Sequence, residues 1–169
     1  MGVKITSERW LEAIAHQLGT NVAYEAAHAS DKKWADLNAI AAWAKAQHDG
    51  PGIFVPIYTK NCANNREHYW WVSSRAKECR EAVYDACTVA RVAIAFPVRV
   101  VMTRLGPRKM DAGCGLNTAL KPVRDGVAEY FGVDDGREDL YKWVYEQDKS
   151  PRGCHGVRIE LFYGEEAVR

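Results

Sequence analysis

Between Arg104 and Gly136 the chain reads RLGPRKMDAGCGLNTALKPVRDGVAEYFGVDDG. Asp111 stands before an amphipathic helical pattern, Asp134 and Asp135 stand after it, and Arg108 and Lys109 lie beside the first acid. Carboxylates separated by one helix and a turn can converge when the flanking strands lie side by side. Oxygen ligands gathered that way hold divalent ions in phosphodiester-cleaving sites. Adjacent cations suit a phosphate backbone. The combination points to a nuclease.

Further basic residues cluster in two places: Arg66, Arg75, Lys77 and Arg80 in one segment, and Arg99, Arg104, Arg108 and Lys109 in another that contains no acid before Asp111. Clusters that flank the carboxylates are candidate phosphate contacts. Lys and Arg number 23 against 22 Asp and Glu, so the whole-chain charge of +1 supplies no general attraction to nucleic acid. Binding of that kind must come from local asymmetry. The five cysteines form no CxxC pair, which fits reduced thiols in an intracellular chain better than a disulfide framework. Cys154 and His155 with Cys62 or Cys114 offer zinc donors at irregular spacing, and the Gly113-Cys114-Gly115 turn beside Arg108 and Lys109 offers a site where cations lower a thiol pKa.

The elements that must position these groups follow from periodicity. Ser7 caps a first helix carrying Trp10, Leu11, Ile14 and Leu18 and ending at Gly19; a second carries Trp34, Leu37, Ile40, Ala41 and Ala44 and stops at HDGPG, 48–52. Residues 1–50 are thus a helical N-terminal extension, and 51–169 a second unit. IFVPIY, 53–58, is a short strand that Pro56 marks as an edge. The next helix has Trp71, Ala82, Val83 and Ala86 inside and Arg75, Lys77 and Arg80 outside. PVRVVMTR, 97–104, alternates as a strand with Val98, Val100 and Met102 on its inner face. A helix from about Leu116 to Phe131 carries Leu116, Leu120, Val123, Val127 and Phe131 on one face, with Pro122 predicting a late start or a kink and Gly132 a stop. LYKWVYEQ, 140–147, and VRIELFY, 157–163, flank the turn-rich DKSPRGCHG and predict a hairpin. The sum is an α+β fold, a small mixed sheet with helices on one face. Apolar residues make up 47% and aromatics 11%, enough for a proper core. No apolar run reaches the length of a membrane span, and the N-terminus lacks a signal-type apolar stretch, so a soluble cytoplasmic protein is expected.

Three stretches, NNREHYWWVSSRAKECREAV at 64–83, TRLGPRKMD at 103–111 and ALKPVRDGVAEYFGVDDG at 119–136, resemble the RusA-type Holliday-junction resolvase family in its phage and prophage form. The resemblance covers about two thirds of the chain, and its third stretch is the most specific. It implies a homodimer that binds branched DNA, with clustered aspartates holding Mg²⁺ or Mn²⁺. Asp134 and Asp135 match the paired acids, Asp111 the first acid of the earlier motif, and Lys121 a lysine of the following helix. Asp111, Asp134 and Asp135 are then the metal ligands and Lys121 assists. Arg66, His68, Arg75, Arg80, Arg104, Arg108 and Lys109 are the DNA contacts, and a phage-encoded protein in a bacterial host is expected.

The chain departs from the family where a second Asp and an Asn are expected, since Cys114 and Gly115 stand there. A thiol is a poor ligand for a hard ion. The second reading is therefore a degenerate member kept as a DNA- or protein-binding regulator, with the N-terminal helices as its partner surface. Asp125 reads as a local helix residue. Tyr69, Trp70 and Trp71 read either as core or as a platform for exposed bases.

Overall fold

The computed structural model describes residues 37–60, 69–111, 114–164 and 167; for 37–41, 69, 71 and 114 it describes the backbone alone. The helix expected to begin at Ser7, and with it Arg66, His68 and Cys62, lies outside the described residues. The elements in order are α1 (Leu37–His48), β1 (Ile53–Val55), α2 (Tyr69–Val89), β2 (Val98–Gly106), α3 (Cys114–Phe131), β3 (Tyr141–Lys149) and β4 (Gly156–Tyr163). They form an α+β fold in which α2 and α3 pack on a four-stranded mixed sheet of order β1-β4-β2-β3. No helix among the described residues is long and apolar enough to cross a membrane.

The final two strands do not form the expected hairpin. β4 pairs antiparallel with β1 and β2, and β3 pairs parallel with β2 on its other side, Val98 opposite Tyr141 through Gly106 opposite Lys149. The reason lies in β2. Its residues are buried almost without interruption, with Val98, Val100 and Met102 fully enclosed and Val101, Thr103 and Leu105 also covered. A strand covered on both faces takes the centre of a sheet, so β3 and β4 flank it instead of each other. Because β1 and β2 are both antiparallel to β4, the strands β1, β2 and β3 all point the same way, joined by the crossovers α2 and α3. Both crossover helices therefore begin at the carboxyl end of the sheet.

The helices earn their positions through burial. Val83 and Cys87 of α2 meet Leu120, Val123 and Val127 of α3 over Val100, Met102, Val157 and Ile159 of the sheet, all fully buried. This burial carries α3 straight through Pro122, where sequence alone expects a late start or a kink. Gly132, with φ of 69°, ends the helix as expected. Its N–H donates to Glu129 and that of Val133 to Ala128, the paired bonds of a Schellman stop. Phe54, between the core residues Ile53 and Val55, leaves the opposite face of β1 and meets Trp43 of α1 edge-on, 5.5 Å between ring centres.

Candidate functional site

On the helix-facing side of the edge strand β3, Tyr141, Trp143, Tyr145 and Gln147 form a row, since alternate residues share a face. Three of them hold a segment or side chain that carries a candidate group. Tyr141 stacks on Trp143, 4.6 Å between centres, and packs against Phe131 and Phe96. The Trp143 indole N–H donates to the Asp135 carbonyl at 3.0 Å. The Tyr145 hydroxyl accepts from Arg124 at 3.2 Å. The Gln147 side-chain amide accepts from the Met110 N–H and donates to the Met110 carbonyl, at 2.8 and 2.9 Å.

The loop after α3 thus folds back along its own helix, and Asp135 reaches residues two turns inside it. Its carboxylate is ion-paired with Arg124, and the Lys121 ammonium lies 4.0 Å away. The same ammonium is 2.8 Å from Asp125. Lys121, Arg124 and Asp125 share a helix face at i, i+3 and i+4. Burial acts first to lower the Arg124 pKa, but the Tyr145 hydrogen bond and the Asp135 carboxylate outweigh it, holding the guanidinium above its ordinary value. Asp125, Glu129, Asp134 and Asp135, with Arg80, Ala128 and Val133, line an open hollow of about 320 Å³.

The structure brings together Lys121, Asp134 and Asp135 among the expected site residues, and does not bring Asp111 to them. Asp111 is tied to the other end of α3 by its carbonyl, which accepts from Leu116, and follows the Met110 backbone held at Gln147. Gln147 and Trp143 are four residues apart on β3, about 13 Å along a strand. Ligands of one ion lie within about 2.6 Å of it, so a trio of Asp111, Asp134 and Asp135 does not fit. Among the described residues no three His, Cys, Asp or Glu side chains gather as a metal-ligand group.

The cations divide similarly. Arg108 and Lys109 are exposed, and Arg75 is partly buried on α2. Arg80 is exposed and pairs with Glu129 at 3.3 Å. Arg104 is not available to DNA. It is buried, donating from Nε to the Thr59 hydroxyl at 3.1 Å and from a terminal nitrogen to the Arg108 carbonyl at 2.9 Å. Burial lowers its pKa, with Tyr58 acting the other way. The signal was present in the sequence, because Arg104 falls in phase with Val98, Val100 and Met102 on the inner face. A Cβ at Gly106 would stand 2.7 Å from the guanidinium, so a side chain there would have to displace it. Arg104→Met is expected to cost about 2 to 3 kcal/mol, the loss of two charge-assisted bonds that leaves the buried Thr59 hydroxyl unpaired. Urea unfolding measures it, and an unchanged midpoint would contradict the assignment.

Arg124, Trp143 and Tyr145 were missed by motif reasoning. Arg124 was accessible through its i+3 spacing from Lys121, whereas the two aromatics needed the strand's partner to be known. His155 is buried with its ring 4.7 Å from Tyr58, beside the buried Cys154. The thiols of Cys79, Cys87 and Cys154 are held protonated. Burial raises the first two to about 12, with the Asp125 charge adding for Cys79, and raises Cys154 to about 11. Burial, then Asp135 and Asp134, raise Tyr141 to about 12. The folded state therefore keeps protons that the unfolded chain releases from about pH 9, so raising pH favours unfolding. The melting temperature is expected to hold to about pH 8.5 and to fall steadily through pH 9 to 11. A flat profile across that window would show the thiols to be exposed.

Taken together, the fold and site define an α+β domain of two parallel crossovers around an inserted antiparallel strand, with a lysine, an arginine and two aspartates knit against its edge strand. Comparison with known families, curated proteins and solved structures found no match.

Proposed function

We propose that this protein is a RusA-type, metal-dependent, structure-selective DNA endonuclease that acts as a homodimer on Holliday junctions or other branched DNA. The observation that supports the reading best is the approach of Lys121 to Asp135, 4.0 Å apart though fourteen positions separate them. These are two residues that the resemblance assigns to one catalytic centre. In this reading Lys121 stabilises charge developing on the phosphate oxygens. Arg124 and the Trp143 indole fix Asp135 in place. The carboxylates around the hollow are hard oxygen donors of the kind that suit Mg²⁺ or Mn²⁺, and Asp134 and Asp135 are the two that would meet the ion, one short of the three-aspartate set that the resemblance implies. When bound, it would polarise the scissile phosphate and lower the pKa of attacking water. The setting is the cytoplasm of a bacterial host, with the gene carried by a phage or prophage.

A second reading, a degenerate member that binds DNA or a protein without cutting, is favoured by one feature: Asp111 stands apart from Asp135, whose charge is already met by two cations. Asp135→Asn discriminates. In a nuclease it removes junction cleavage while DNA binding persists, and in a binding protein there is no cleavage to lose, because Cys114, at the Asp111 end of α3, lies two turns from Lys121 and the centre there is incomplete.

A further inference from the structure

We propose that the carboxyl end of the sheet is a docking surface for the phosphate backbone of a nucleic-acid duplex, carried by Arg108, Lys109, Lys149 and Arg152 with Lys60 at its margin. The choice of nucleic acid as the polyanion rests on the nuclease reading, while the surface itself comes from topology. Because β1, β2 and β3 are parallel, the segments that follow them, 56–60, 107–111 and 150–155, emerge at one end. Each contributes cations. Among the described residues the acids there are Asp111 and Asp148, and Asp148 lies 3.5 Å from Arg158.

The opposite end is mixed, with Arg91 and Lys142 exposed there, but its loop after α3 is acidic. Asp134, Asp135, Glu138 and Asp139 follow α3, and the one cation in that loop, Arg137, is engaged by Asp139. The near-zero net charge therefore conceals an uneven distribution, with the basic rim and the acidic loop after α3 at opposite ends of the nine-residue β2, about 30 Å apart. Separated charge of this kind steers and orients a polyanion where the total charge cannot.

The basic loops are also bound to one another. The buried Arg104 links Thr59 to Arg108, Gln147 clamps Met110 from both sides, and the Ser150 N–H donates to the Gly106 carbonyl at 3.1 Å. Cations on a fixed platform bind without a large ordering cost. They are spread over three loops of a broad surface, which suits a backbone of regularly spaced phosphates better than one small anion. From Lys149 on this rim to Trp143, which holds Asp135, is six residues of β3, about 20 Å, or about six nucleotides at 3.4 Å rise per strand. A strand anchored at the rim can thus pass the cluster.

The test is fluorescence anisotropy of a labelled DNA duplex with the full chain across a salt series. Two rim variants, Arg108→Gln with Lys109→Gln and Lys149→Gln with Arg152→Gln, are compared with a charge-matched pair at the other end, Arg91→Gln with Lys142→Gln. Each rim pair is expected to weaken binding on the order of tenfold and to lower the slope of log affinity against log salt by about 0.9 per lost contact. The control pair is expected to leave both unchanged. Wild-type affinity and slope in the rim pairs, or an equal loss in the control, would overturn the proposal, as would binding to anionic phosphatidylserine vesicles without binding to duplex. Rim-dependent duplex binding with no cutting of any branched substrate would remove the nuclease reading and leave the rim. Junction cutting and duplex binding that survive both rim pairs unchanged would do the opposite.

Discussion

Gly126→Val is expected to destabilise the protein by about 3 kcal/mol or more, the upper end of overpacking costs. A Cβ at Gly126 would lie 2.7 Å from the Arg80 carbonyl oxygen and 2.9 Å from the Val83 Cβ. Both are parts of α2 that cannot rotate away, so α2 and α3 must separate. That separation opens the layer where Val83 and Cys87 meet Leu120, Val123 and Val127, all fully buried. Gly126→Ala makes the argument sharper. On an open helix that change stabilises by about 1 kcal/mol, yet here its methyl meets the same carbonyl, and a net loss is expected. Thermal melting reads both variants, with the valine form lowered by about 6 to 12 °C at 2 to 4 °C per kcal/mol for a chain of this size. A raised melting temperature for the alanine form would mean that the helices are not in close approach.

The second large effect concerns chemistry. Asp135→Asn is expected to lower junction cleavage by about 10²- to 10³-fold, comparable to removing one preorganised charge-stabilising group, and Lys121→Met to act in the same direction. The fold is expected to survive, because Lys121 is 58% exposed, where an ion pair contributes about 1 kcal/mol or less, and because Asn at 135 keeps an oxygen for Arg124 and leaves the backbone carbonyl bonded to Trp143. Circular dichroism and melting of the two variants should match the wild type while cleavage falls. A variant that loses cleavage and melts much earlier would assign Asp135 a structural role through Arg124 and Trp143.

The parts legible in the sequence are those with a strong local period. β2 follows from Val98, Val100 and Met102 at a period of two, and α3 from its apolar stripe and the Gly132 stop. The edge position of β1 follows from Pro56. What alternation does not carry is the identity of a strand's neighbour. β3 and β4 read as a hairpin because they are consecutive and joined by a turn-rich segment, but the doubly buried β2 separates them. The same limit hid the site. Asp111, Asp134 and Asp135 flank one helix, but whether the flanking segments meet depends on where the loop after α3 lies. It lies back along the helix, on Arg124 and Trp143, so Asp135 joins Lys121 and not Asp111. Arg104 was misplaced for a different reason. Its charge outweighed its phase, although the period of two already put it inside.

The most direct measurement of the central claim is cleavage of a labelled four-way junction beside a matched linear duplex, in Mg²⁺ and in Mn²⁺, with Asp135→Asn as the control. The junction is expected to be cut in preference to the duplex, with cutting dependent on the divalent ion and lost in the control. Absence of junction cutting in either metal, or cutting that persists in Asp135→Asn, would contradict it.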